Sequence, residues 1–471
     1  MSRGGRDPTD SVVGAYLTPA GVDASSLIAR IESVPFSRWH SKARVIMGSA
    51  TFFDAFNSLS LAFALPILIG LWHISPRQSG LLIASSYAGQ LAGALLFSWL
   101  AEKFGRIPSA TAGIAIMAVM TLGCAIARNF AALFACRFVQ GIGIGGEMPV
   151  AAAYISELSR ARGRGRFFLL YEMIFPVGLM AAGQLGAWLV PAFGWQAIFL
   201  IGSIPCLIIT FLVARLPESP RWLISKGRLL EASDVVKEME ASAALISGTL
   251  PSASSAVPNR DPVRGTRWGE LLAPAYRSRT LIVWTLWFCA YFIANGLNNW
   301  LPSLYNTVYH LGLRPSLRAA SMTNVAQVGV LLMCAFSIDR IGRRNWTVAS
   351  FISGAVLLGI LGFLASGSVS SVLILATLIY GIIGSTNAVL YLYTPEIYPT
   401  RMRAIGTGLA TCWLRLASAM GPALVGFMVG AMGIGSAFLT FAAVSIVGAF
   451  AGSRMIETRG QRLEDVSEPR A

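Results

Sequence analysis

Long apolar runs separated by short polar stretches recur twelve times along this chain. Each is about 20 residues long, the length an α-helix needs to cross ~30 Å of hydrocarbon. The pattern predicts membrane helices at roughly 45–71, 79–101, 108–127, 131–156, 167–190, 196–215, 280–304, 319–337, 346–366, 370–394, 404–428 and 434–453. Six spans lie on each side of a polar segment, 216–278. Its middle, "ASAALISGTLPSASSAVPNRDP", is rich in Ser, Ala and Pro and reads as a flexible linker. The preceding "SPRWLISKGRLLEASDVVKEME" predicts short surface helices. The expected organisation is an N-terminal segment 1–44, a six-helix bundle 45–215, a linker 216–278, a second six-helix bundle 279–453 and a tail 454–471. The fold class is all-α integral membrane, with twelve transmembrane helices in two six-helix bundles.

Composition supports that class. Of 471 residues, 55% are hydrophobic and only 13% charged, a balance rare in soluble proteins of this length. Glycine is frequent, as where membrane helices approach closely. The six cysteines all fall in apolar runs and form no paired motif, so neither disulfides nor zinc are implied. No cleavable signal peptide is visible, and the polar first 40 residues are expected to stay in the cytoplasm.

Charge gives an orientation. Loops after spans two, four, eight and ten hold Lys103, Arg106, Arg160, Arg162, Arg164, Arg166, Arg340, Arg343, Arg344, Arg401 and Arg403. Opposite loops hold only Arg77, Arg128, Arg314 and Arg318. The basic central segment lies on the richer side, which predicts both termini in the cytoplasm. The net charge of +15 follows from this topology. Dispersal of the basic residues among membrane loops argues against a nucleic-acid partner.

The halves echo each other. "SWLAEKFGRIPS" after span two matches "FSIDRIGRRNW" after span eight, each with an acid, a base, one residue and then Gly-Arg. "YISELSRARGRGR" after span four corresponds to "YTPEIYPTRMR" after span ten. Such duplication suits two bundles that rock about a central site.

These motifs resemble the major facilitator superfamily over nearly the whole chain. "PESPRWLISKGR" and "RFVQGIGIGGEMPVAAAYISEL" are close to the sugar-porter and organic-ion branch. With "FFDAFNSL", the chain looks most like bacterial metabolite:proton symporters, including niacin and aromatic-acid transporters. It departs from the pattern at Glu102, where Asp is usual, at Ser98, where Gly is usual, and at Asn57, where close relatives often have a second acid.

A proton-coupled carrier needs a group that titrates as the site alternates sides, and an intramembrane carboxylate suits this. Asp54 lies about nine residues into span one, roughly 14 Å along it at ~1.5 Å per residue and near mid-depth. The resemblance pairs it with Arg137, which opens the "RxxxGxG" motif. Helical rise places Asp54 ~18 Å from the outer end and Arg137 ~10 Å, so contact requires tilt and a long side chain. Arg137, Gln140, Ile144 and Glu147 share one face of span four. Glu147 and Glu172 are further proton-site candidates; structural hydrogen bonds are the competing account. "GIGIGG" follows no strand and is a poor dinucleotide motif.

Arg415, deep in span eleven, is costly unless paired. The resemblance implies that it holds a substrate's negative group, because organic anion transporters carry an Arg seven residues before a Pro, as Arg415 and Pro422 do here. Pairing with Glu147 or Glu172 is the alternative. Tyr291, Asn295, Asn298, Asn299 and Trp300 in span seven are further candidate substrate contacts. So are Asn387 and Tyr391 in span ten, with Trp413, Asn57 and Gln140. The resemblance makes Glu102, Arg106, Glu157, Arg166, Asp339, Arg343, Glu396 and Arg403 a charge network that closes the cytoplasmic side. Topogenic charge and helix capping would explain them otherwise.

The expected function is proton-coupled import of a small organic anion, an aromatic or heterocyclic carboxylate such as nicotinate or a hydroxybenzoate, across a bacterial inner membrane. The expected partners are that anion, protons and the lipid bilayer, with monomer the default state. Two alternatives stand: a proton-coupled sugar or polyol transporter, and a non-transporting receptor of transporter ancestry. No nucleophile–base constellation, metal cluster or Walker-type loop is present in the sequence, so an enzyme, a cofactor and ATP-driven transport are not expected.

Overall fold

The computed structural model describes residues 23–158, 173–247, 268–364, 368–399 and 402–459. Its first bundle contains α2 (Arg38–Trp72), α3 (Pro76–Phe104), α4 (Arg106–Ile126), α5 (Phe130–Leu158), α6 (Ile174–Phe193) and α7 (Gln196–Val213). The second contains α10 (Pro274–Thr307), α11 (Leu313–Ile341), α12 (Arg343–Phe363), α13 (Val369–Glu396), α14 (Arg403–Met432) and α15 (Ile434–Ser453). Three shorter helices, α1 (Ala24–Ser33), α8 (Pro220–Ser225) and α9 (Leu229–Ser247), lie outside the bundles, and a 3-10 turn covers Trp268–Leu272.

Eleven of these helices are long and apolar enough to cross a membrane. The twelfth, α5, has 29 residues and packs against α3 and α4. It carries Arg137, Gln140 and Glu147, which lower its apolar character. Gly141 and Gly145 let α5 approach α3 until backbone meets backbone: a Cβ at either would strike the carbonyl of Ser86 or Gln90. Close packing of this kind is what small residues provide between membrane helices.

The bundles meet through α3 with α14, α6 with α11, and α2 with α10. At the end away from the loop motifs they are tightly closed. The start of α3 lies against the end of α14, with Gly80 facing the Pro422 carbonyl and Gly426 facing that of Pro76. Trp300 Nε1 donates to the same Pro422 carbonyl at 2.9 Å.

The N-terminal segment is more structured than its polar sequence suggests. Leu27 and Ile31 of α1 are buried with Trp222, Leu223, Ala232 and Val236 of α8 and α9. Arg30 makes a two-pronged contact with Glu240, at 2.8 and 2.7 Å. Arg221 binds Glu32 and donates to the Glu157 carbonyl at the end of α5.

The repeated loops have one design. Gly105 and Gly342 take φ +114° and +94°, turning the chain between antiparallel helices where a side chain would be strained. A carboxylate then caps the next helix. Glu218 accepts from the backbone N–H of Arg106 (3.0 Å) and Ile107 (3.2 Å), and Glu457 from those of Arg343 (3.0 Å) and Arg344 (3.1 Å). Burial pushes the Glu218 carboxyl above its ordinary value, opposed by the N–H groups it accepts from. A carboxylate here also complements the positive end of the helix dipole. E218A and E457A each leave two helix-start N–H groups without this acceptor. Each is expected to destabilise the purified protein by about 1–2 kcal/mol, read as a lower unfolding temperature in detergent.

Candidate functional site

A cavity of about 670 Å³ lies between the bundles. Its wall runs from Asp54 of α2 and Arg415 of α14 to Asp339, Arg343 and Glu396. It therefore extends from mid-depth toward the loop-motif end of the second bundle, opposite the tight seal. Tyr87, Tyr291, Tyr380, Tyr391, Phe175 and Phe336 are the aromatic members of an otherwise mainly aliphatic lining.

Helical spacing positions these groups. Tyr380, Gly384, Asn387 and Tyr391 recur at four, three and four residues and so present one face of α13 to the cavity. Tyr291, Asn295 and Asn298 do the same on α10. Behind them Trp287 is fully buried and donates to Thr394 Oγ1 at 2.9 Å. It stacks on Tyr291 (5.6 Å, 8°) and meets Tyr391 edge-on (4.6 Å, 77°). Asn295 donates to Ser418 at 2.7 Å, and Asn298 donates to Tyr380 at 2.9 Å.

Arg415 is 5% exposed. It donates to the carbonyl of Thr411 in its own helix and to that of Gly145 across the bundle interface, each at 3.2 Å. Its Nε has no hydrogen-bond partner, and no ion pair holds its guanidinium among the described residues. Gln90, Gln327 and Asn387 also line the cavity, and Gln90 Nε2, Gln327 Oε1 and Asn387 Oδ1 have no partner among the described residues. Buried polar groups seldom remain unsatisfied, so this set is suited to a polar ligand.

Asp54 is buried but touches the cavity. The expected pairing with Arg137 does not occur. Arg137 donates to the Asn57 carbonyl at 3.1 Å and to Gln140 Oε1 at 2.6 Å. The axial offset between the two residues is the reason: Arg137 lies nearer the sealed end and finds the carbonyl one turn beyond Asp54. The cation whose field reaches Asp54 is Arg415, which lines the same cavity, and Glu147 is held nearby by the hydroxyl of Thr51, one helical turn before Asp54.

Several other expected contacts are directed elsewhere. Asn57 donates to the Gly202 carbonyl at 3.3 Å, and Gln140 to Thr121 at 2.5 Å, both inside the first bundle. Asn299 donates to Tyr87 across the bundles at 3.1 Å, and Trp300 belongs to the seal. Trp413 lies beside Trp284 in a separate apolar pocket between α10, α14 and α15. None of these five lines the central cavity. Glu172 and Arg166 lie outside the described residues, as does the side chain of Arg403.

Conversely, Ser58, Tyr87, Gln90, Gln327 and Tyr380 line the cavity without having been singled out by sequence. Their signal was polar spacing within apolar runs: Tyr87 and Gln90 are three residues apart in α3, as are Asn324 and Gln327 in α11.

The loop-motif charges pair within each bundle. Arg106 binds Glu102 and Glu157, each at 2.9 Å, and Arg343 binds Asp339 at 2.9 Å and Glu396 at 3.5 Å. Glu396 also accepts from Thr458 at 2.6 Å.

Comparison with known proteins agrees with this architecture. The family described as Sugar (and other) transporter matches residues 42–469. The niacin transporter NiaP of Acinetobacter baylyi is 31% identical over 93% of this chain and 99% of its own length. The 4-hydroxybenzoate transporter PcaK of the same organism is 28% identical, covering 88% and 89%. Among solved structures, a partially occluded inward-open xylose transporter XylE from E. coli superposes with a TM-score of 0.71 at 17% identity, over 90% of this chain and all of that one. The chain belongs to the sugar (and other) transporter family, and so is a multi-pass membrane transporter of the major facilitator superfamily rather than an enzyme.

Proposed function

We propose that this protein imports a small aromatic or heterocyclic monocarboxylate, of the nicotinate or 4-hydroxybenzoate kind, together with protons and by alternating access. The observation that carries the reading is Arg415. It is a guanidinium in a central, tyrosine-lined cavity, bonded among the described residues only to backbone carbonyls and with Nε unpartnered there. A planar guanidinium suits a carboxylate, and tyrosine faces suit a flat ring. The names of the relatives that transport niacin and 4-hydroxybenzoate support the same class. Asp54 is the cavity's mid-depth acid and the proposed proton carrier, with Arg415 in place of Arg137 as its counter-charge.

In this reading the cavity faces the cytoplasm, with both termini on that side. The Arg106 and Arg343 clusters bias the equilibrium by re-pairing when the loop-motif end closes; exposed pairs are individually weak, but a set formed in one state shifts populations. The amides of Asn298, Gln327 and Asn387 also suit a polyol, which makes sugar transport the second reading. A neutral polyol would supply no counter-charge to the Arg415 guanidinium.

Binding to purified protein, screened across small carboxylates, vitamins and sugars at two pH values, is expected to select monocarboxylates. Sugar-only binding would reject the proposal. R415A is expected to weaken binding of the selected anion by about 30-fold or more, the loss typical when one partner of a buried charge pair is removed. In proteoliposomes D54N is expected to lose accumulation driven by an inside-alkaline pH gradient. Full accumulation by D54N would remove Asp54 from the coupling.

A further inference from the structure

Glu147 lies behind Asp54, fully buried on α5 and outside the cavity wall, whereas Asp54 touches the cavity. Thr51 donates its hydroxyl to Glu147 Oε1 at 2.9 Å, and Ser58 donates to Asp54 Oδ1 at 3.4 Å. Thr51 and Asp54 lie three residues apart on α2, so the hydroxyl that holds Glu147 sets its carboxyl beside that of Asp54. An ionised carboxylate only accepts hydrogen bonds, so two carboxyl groups placed side by side can bond each other only when one of them holds a proton. Adjacent carboxylates in a dry site do not both ionise unless a cation compensates.

The groups that face the pair are few. Arg415 comes from α14, Cys206 from α7 and Tyr87 from α3. Tyr291 of α10 lines the same cavity, and the described residues of α6 hold no titratable side chain. On α4, Cys124 faces Arg137 rather than the pair. Helix α9 meets α2 near its start, where Ser242 accepts from the Trp39 N–H. Thiols and phenols are neutral at physiological pH. Arg415 is therefore the one cation among these groups that can compensate the pair, and it is also the group proposed to receive the substrate.

We propose that Asp54 and Glu147 form one site for a single exchangeable proton, and that Arg415 is shared between this site and the substrate anion, so that one proton moves with each monoanion. This rests on the proton-coupled reading above and adds its stoichiometry. With the anion bound, the guanidinium charge is matched by the substrate and the carboxyl pair retains its proton. When the anion leaves into the cytoplasm, the guanidinium turns its charge to the pair and the proton follows. Arg137 stays fixed on Asn57 and Gln140 throughout. The loaded and empty carriers then have the same net charge, and transport is electroneutral.

Two measurements test this. Infrared spectra of the protein in lipid at neutral pH, with saturating nicotinate or 4-hydroxybenzoate, are expected to show a protonated-carboxyl band that is lost in both D54N and E147Q, because the anion-loaded pair holds one proton and one charge and a lone carboxyl keeps only the charge. A band lost in only one of the two variants would assign the proton to that residue alone and overturn the shared site. Uptake by wild-type proteoliposomes, with radiolabelled nicotinate and 4-hydroxybenzoate as probes, is expected to follow an inside-alkaline pH gradient. Its initial rate should change less than about twofold when a valinomycin–potassium clamp sets an inside-negative potential. Strong acceleration by that potential, with the pH drive intact, would overturn the one-to-one stoichiometry and leave proton coupling standing. Loss of the pH drive itself would overturn both. E147Q is expected to lose pH-driven accumulation and E147D to restore it; equal loss in both would indicate packing rather than proton binding.

Discussion

Charge in a low-dielectric interior must be compensated, and the centre of this transporter is organised around that requirement. Asp54, Glu147, Arg137 and Arg415 are all almost wholly buried. Arg137 is satisfied by a carbonyl and an amide, a fixed arrangement inside one bundle. Arg415 is held across the interface by the carbonyl of Gly145, which α5 offers at its closest approach to α3. The first arginine is enclosed within one bundle, and the second stands where the two bundles and the cavity meet. Helix packing thus decides which of two similar guanidinium groups borders the cavity.

The two ends of the molecule are built from different interactions. The sealed end relies on backbone-to-backbone approach between α3 and α14, with Trp300 bonded to a carbonyl. The loop-motif end relies on ion pairs confined to each bundle, on glycine turns and on the capping carboxylates Glu218 and Glu457. Each cap comes from a residue that follows the last membrane helix of its bundle, so it ties the end of that bundle back to its third helix.

Much of the architecture was legible in the sequence, because hydrocarbon thickness sets helix length and apolar runs report it directly. The bounds of α3, α4 and α15 follow the predicted spans closely. The duplicated Gly-Arg loops were equally visible. The site was harder to read. Asp54 and Arg415 stand out as charges in apolar runs, and both line the cavity. Polarity alone could not say which way a residue faces: Asn57 and Gln140 share their helices with cavity groups yet turn into the first bundle. The partner of Asp54 depended on axial offset between helices, which no single span records. Glu218 and Glu457 were hidden because a helix cap contributed from a distant loop has no local spacing.

The docking of α1 has a consequence for the order of assembly. Arg30 and its partner Glu240 are 210 residues apart. The apolar face of α1, Leu27 and Ile31, has its partners in α8 and α9, which follow the sixth membrane helix. During synthesis α1 therefore waits, its face uncovered, until the whole first bundle has been inserted and α9 has emerged. A segment made before the first bundle is thus covered only after it, and its burial marks the completion of that bundle.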